Sequence, residues 1–201
     1  MANPNKPTGF SPVQYLGGSP WNGQARIYSV PTNQSTAIYI GDPVASSGDG
    51  DAFGIAGVVR ATAGSAVRGI VVAAGLTPQG GPYVNVNNLS QLWVPASQTP
   101  VYYVAVVDDP DVIFECQEIG TGTQFTSAEI GLNCNFTLGT AGVAPFSGAL
   151  LDNATEAGTS TLNCKLLGLS QYPAGTNVFG AYAKWLVLLN NHELKAGTTG
   201  V

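Results

Sequence analysis

Short stretches of alternating apolar and polar residues recur along most of this chain, and they have the two-residue period of strands. In the segment 112–118, Val112, Phe114 and Cys116 fall on one side, with Ile113, Glu115 and Gln117 on the other. Just before it, Val101-Tyr102-Tyr103-Val104-Ala105-Val106-Val107 is a dense β-branched and aromatic run. Asp108-Asp109-Pro110-Asp111 between them has turn chemistry, so residues 101–118 are expected to form a hairpin.

Further strands are expected over 36–40 (ending at Gly41-Asp42-Pro43), 53–61, 66–74, 89–94, 130–136, 147–151, 161–169 and 184–189. Loops are expected at the Gly/Asp-rich 46–51 and the Gly/Pro-rich 77–82. Only 126–132 and 177–189 offer a helical alternative. About ten short strands punctuated by Gly and Pro predict an all-β protein. The expected form is a single β-barrel or jelly-roll-like β-sandwich.

Residues 1–35 read differently. Pro4, Pro7, Pro12, Pro20 and Pro31 exclude a continuous helix and interrupt strand pairing. The segment is expected to be an extended arm, followed by a β domain over 36–201 that folds without it. Such a segment must lie on its own domain or on a neighbour. Phe10, Tyr15 and Trp21 are its candidate anchors, and Arg26 a candidate for a charge-assisted bond to a neighbour's carboxylate.

Composition narrows the function. Charged residues make up 9% of the 201, while 44% are hydrophobic, so a disordered chain is disfavoured. A neutral polar surface suits extensive contact, because few charges must be desolvated beneath a partner. From Gly69 to Cys164 there is no basic residue, yet Asp108, Asp109, Asp111, Glu115, Glu118, Glu129, Asp152 and Glu156 lie there. No nucleic-acid partner is expected. The opening is polar and proline-rich rather than a signal peptide, and no apolar run approaches a membrane span, so no membrane partner is expected.

Candidate chemistry is sparse. Cys116, Cys134 and Cys164 are far apart in sequence and sit in apolar alternations, which predicts three free, buried thiols. His192, the single histidine, lies in Asn190-Asn191-His192-Glu193 and is expected in a turn or at the surface, without a catalytic or ligand role. The Asp108–Asp111 turn lacks EF-hand spacing. Glu115 and Glu118, three apart on a strand, point to opposite faces and do not form a glycosidase pair. No cofactor and no enzymatic activity are expected.

Three blocks carry a resemblance: residues 3–16 together with Ser19-Pro-Trp-Asn-Gly-Gln-Ala-Arg26, Val106-Val-Asp-Asp-Pro-Asp-Val-Ile-Phe-Glu115, and Ala183-Lys-Trp-Leu-Val-Leu-Leu-Asn-Asn-His-Glu-Leu194. Together they resemble structural proteins of tailed-bacteriophage head gene clusters. That resemblance implies a capsid decoration, or cement, protein on the outer surface of the virion, made in the host cytoplasm. Its partners would be the major capsid protein and further copies of itself, as a homotrimer or alternatively a homodimer. The rival from another class is a carbohydrate-binding module or fibre-like adhesin, which accounts equally well for Trp21, Trp93, Trp185 and the polar Thr/Asn loops.

Overall fold

A computed structural model describes residues 3–76, 92–139, 144–171 and 175–200. The expected loop at 77–82 and the first half of the expected strand at 89–94 lie outside them. The protein is all-β, with one 3-10 turn among the described residues, at Ser127–Glu129, inside the stretch with helical potential.

Five strands close into a barrel: β2 (Arg26–Val30), β3 (Pro43–Gly50), β4 (Ala56–Arg60), β5 (Gly69–Leu76) and β6 (Tyr102–Val107), in the spatial order β2-β4-β3-β5-β6. All neighbours are antiparallel except β2 and β4. A second, antiparallel sheet runs β1 (Ser11–Tyr15), β7 (Val112–Gln117), β12 (Lys184–Leu189), β11 (Cys164–Leu169) and β8 (Asn133–Cys134). A small ribbon pairs β9 (Phe136–Thr137) with β10 (Leu150–Leu151).

Two cores result. Tyr28, Val30, Val44, Val58, Val71, Tyr102, Val104 and Val106 fill the barrel. The larger core lies between the barrel wall and the second sheet. Ile70 and Val107 enter it from the barrel, and Phe114, Cys116, Leu166, Trp185 and Val187 from the sheet.

The expected hairpin at 101–118 is not formed, although both of its strands are. β6 pairs with β2 and β5, and β7 with β1 and β12. All six residues of β6 are buried, because its inner side faces the barrel and Val107 faces the second sheet. Both edges of such a central strand are taken up by the barrel, so the Asp-Pro turn carries the chain from one layer to the other.

The expected 46–51 loop is largely strand. β3 continues to Gly50, with a bulge between Ser46 and Gly50. Gly57 lets β4 close on it, since a Cβ there would meet Ser47 Oγ at 2.3 Å and the Asp49 carbonyl at 3.0 Å. Conversely, the expected strand at 36–40 contributes only isolated bridges, Ile38 to Val94 and Ile40 to Phe146.

The boundary at 35/36 separates no independent units. β1 belongs to the second sheet and β2 is a stave of the barrel. Gly9 and Gly41, both with positive φ, pass so closely that a Cβ on Gly9 would lie 2.5 Å from the Gly41 carbonyl. That approach, with Phe10 N–H donating to Gly41 O at 3.0 Å, sets Phe10 into the larger core. The prolines are accommodated at ends and edges: Pro12 lies on edge strand β1, where the register shifts.

Sheet edges are covered by the chain itself. Beyond β1, Tyr15 N–H donates to Ser19 O and Trp21 N–H to Val13 O. Beyond β8, Asn133 and Ala157 exchange backbone hydrogen bonds.

Candidate functional site

The four candidate contact residues have separate fates. Phe10 is 1% exposed, with its ring edge-on to Phe114 and Phe136 at centroid distances of 6.5 and 6.1 Å. It is a core residue of its own chain. Tyr15 is half-buried, its hydroxyl 2.8 Å from Asn22 Oδ1 and 3.0 Å from Gln24 Oε1. Trp21 packs one side on the larger core, and its indole N–H donates to Gln24 O at 3.3 Å. Arg26 is exposed, 3.3 Å from Asp108.

Trp21 and Phe146 border an open apolar groove of about 220 Å³, with Pro12, Ile40 and Val72 along it and Phe10 beneath. Among the described residues, no charged side chain lines it. Phe146 is 45% exposed, so the groove presents two aromatic walls to solvent. A second, polar hollow of about 420 Å³ is lined by Gly23, Gln24, Arg26, Asp108 and Asp109.

Behind that hollow lies an ionic seam between the layers. Tyr28 donates to Asp108 Oδ2 at 2.6 Å and accepts from Arg68 Nε at 2.8 Å, with the Arg68 guanidinium over the Tyr28 ring. Burial, then the Asp108 carboxylate, push the Tyr28 hydroxyl above its ordinary pKa. Arg68 also reaches Glu193 at 3.8 Å, and Glu193 accepts from Ser46 N–H at 2.7 Å.

His192 belongs to this seam. It lies in a turn, as expected, but is buried at 5% exposure. Its Nδ1 accepts from Leu194 N–H at 3.0 Å, which leaves that lone pair unavailable to a substrate. Burial, reinforced by Arg68, lowers its pKa, so the imidazole is held neutral.

Glu118 is fully buried at the end of β7. Its Oε2 accepts from Phe125 N–H at 3.0 Å, while Oε1 has no hydrogen-bond partner among the described residues. The Trp185 indole N–H lies close enough to favour the ionised form, yet neither group reaches good hydrogen-bond geometry with the other. Desolvation prevails and raises the Glu118 pKa to about 7. Cys116, Cys134 and Cys164 are free and buried, and burial holds all three thiols well above their ordinary pKa.

Among the described residues, no three His, Cys, Asp or Glu side chains converge as metal ligands. No family model, curated protein or solved structure matches this chain.

Sequence reasoning missed Phe146 and Phe53, the latter 69% exposed at the tip of the β3–β4 hairpin. Phe53 carried a readable signal, as an aromatic residue set among Gly, Asp and Ala, where a turn has no core to fill. Phe146 carried none, because its groove is assembled from segments far apart in the chain.

Proposed function

We propose that this protein is a structural component of a tailed-phage virion that binds the outside of the assembled capsid and fastens neighbouring major-capsid subunits. The resemblance carried by the three sequence blocks supplies the partner. The observation that supports a binding role is the Trp21–Phe146 groove, an uncharged aromatic concavity on a chain with very few charges. Aromatic anchors bordered by neutral polar surface desolvate at little cost. Contacts to two or three neighbouring subunits multiply into avidity, and preference for the assembled lattice stabilises that lattice by linkage. Phe10 and Trp21 line the groove, while Arg26 is exposed at the polar hollow.

The test is to add purified protein to undecorated particles and measure occupancy, comparing wild type with a Trp21→Ala, Phe146→Ser double variant. Saturable binding that the double variant weakens at least about tenfold is expected. Failure of the wild type to bind particles, together with binding to a glycan array, would replace the reading with the adhesin.

A further inference from the structure

The most exposed large apolar side chain, Phe53, stands on a stiffened tip. Asp51 Oδ1 accepts from Phe53 N–H at 2.9 Å and Ile55 N–H at 2.8 Å, and Oδ2 accepts from the buried Tyr103 hydroxyl at 2.5 Å. Asp51 N–H donates to Ile55 O at 2.9 Å, closing the turn. These bonds hold the backbone of the tip before any partner arrives, so little main-chain entropy is lost when the ring docks. The tip is acidic: Asp49 is exposed beside it, and no basic residue lies between Asp49 and Val59.

On the outer side of the second sheet is a pocket of about 180 Å³, lined by Leu16, Pro110, Leu188 and Ala196 and bordered by Lys165 and Lys195. Leu16 is 51% exposed there. The pocket lies below the roughly 300–1,000 Å³ of small-molecule sites. It is close to the volume of about 150 Å³ that accommodates a benzene ring. Only seven residues of the chain are Lys or Arg, and two of them stand at this pocket. Lys195 is paired with the Asp111 carboxylate. Lys165, whose Nζ donates to Thr199 O at 2.8 Å, has no carboxylate partner among the described residues and leaves the rim net positive.

We propose that the protein self-associates head to tail: the Phe53 ring of one copy enters the Leu16–Leu188 pocket of the next, with Asp49 facing the Lys165 and Lys195 ammonium groups. Size and charge sign both match, and the two surfaces lie on different layers of the molecule. Each copy therefore carries one knob and one pocket. Such a heterologous contact closes into a ring when the rotation permits and otherwise propagates as a filament. It needs no capsid, so its test is independent of the virion reading.

The test uses sedimentation of the free protein over a range of concentrations. Wild type is expected to associate reversibly, more weakly as salt rises. Phe53→Ser removes the knob and Leu16→Glu places a carboxylate in the pocket; each is expected to weaken association at least about tenfold. Both positions are exposed, and thermal melts check that both variants remain folded. Mixing is decisive. Phe53→Ser retains a pocket and Leu16→Glu retains a knob, so the mixture is expected to form a one-to-one heterodimer and nothing larger. A symmetric interface gives no such rescue. The proposal is overturned by a monomeric wild type at every concentration, by association that ignores both substitutions, or by a mixture that stays monomeric.

Discussion

The barrel interior and the core between the layers are built on opposite plans. The barrel is filled mainly by valines and tyrosines from its own five strands, with Ile38 and Val94 added. The core between the layers is aromatic and sulfur-rich, and draws on residues spread from Phe10 to Leu189. The barrel encloses its core with its own strands, whereas the second sheet buries one face because the barrel wall covers it. The lesson is that the N-terminal residues, which supply both β1 and β2, hold the two plans together.

Removing those residues is the harshest test. Deletion of residues 2–31 takes away a stave and an edge strand at once, and is expected to yield a chain with no cooperative melt by circular dichroism. A truncated protein that still melts cooperatively would show that the arm and the body are separable after all.

Next come single changes at a separate buried ion pair and in each core. Asp42 is fully buried against Arg60 at 3.0 Å and also accepts from Ser147 Oγ at 2.5 Å and Tyr39 N–H at 2.9 Å. Asp42→Ala strands the Arg60 guanidinium and is expected to cost about 3–5 kcal/mol in urea unfolding. Phe114→Ala, between the layers, is expected to cost about 3–5 kcal/mol through its cavity. Val104→Ala, inside the barrel, removes less and is expected to cost about 2 kcal/mol. Unfolding followed by tryptophan fluorescence and by far-ultraviolet circular dichroism should coincide in both core variants. Separate transitions would mean that the barrel outlives the sheet.

A smaller effect depends on pH. The folded-state pKa of Glu118, about 7, lies above its ordinary value of 4.5, so the native state holds its proton more tightly than the unfolded chain does. Its contribution is fully present below about pH 4.5 and is lost as pH rises through about 7. Glu118→Gln is therefore expected to stabilise the protein by on the order of 2 kcal/mol at pH 8 and to change little at pH 4. His192 acts in the opposite direction: its pKa is lowered, so its contribution is present above about pH 6.5 and falls as acid protonates the unfolded chain first. A stability profile that rises steadily with pH in both wild type and Glu118→Gln would contradict the assignment of Glu118.

The smallest effect is on the thiols. Cys116, Cys134 and Cys164 should label slowly in the native protein and together once it unfolds, with no change in stability on adding a reductant.

Strand character was legible wherever a short-range pattern decided it. Lys184–Leu189 lies where its alternation placed it, and the burial of the three cysteines followed from their apolar neighbours. Pairing was not legible, because an Asp-Pro turn between two strands looks the same whether they pair or part into different layers. The N-terminal strands were hidden by their prolines, which disfavour sheet interiors but are tolerated at an edge. The groove escaped notice for a related reason. Trp21 and Phe146 are brought together by a fold whose only local sign is a pair of close-passing glycines, Gly9 and Gly41.

The covered sheet edges bear on how this protein behaves when crowded. The five barrel strands close on one another, and β1 and β8 are each capped by the chain's own backbone, so the ends of the second sheet are guarded. Native molecules packed at high local concentration therefore meet through side chains, where shape and charge discriminate, and not by open-ended strand addition, which accepts almost any sequence. A protein organised in this way is expected to withstand prolonged storage in concentrated solution without seeding fibrils, and to lose that resistance only under conditions that peel Ser19–Trp21 or Ala157 from the edges they guard.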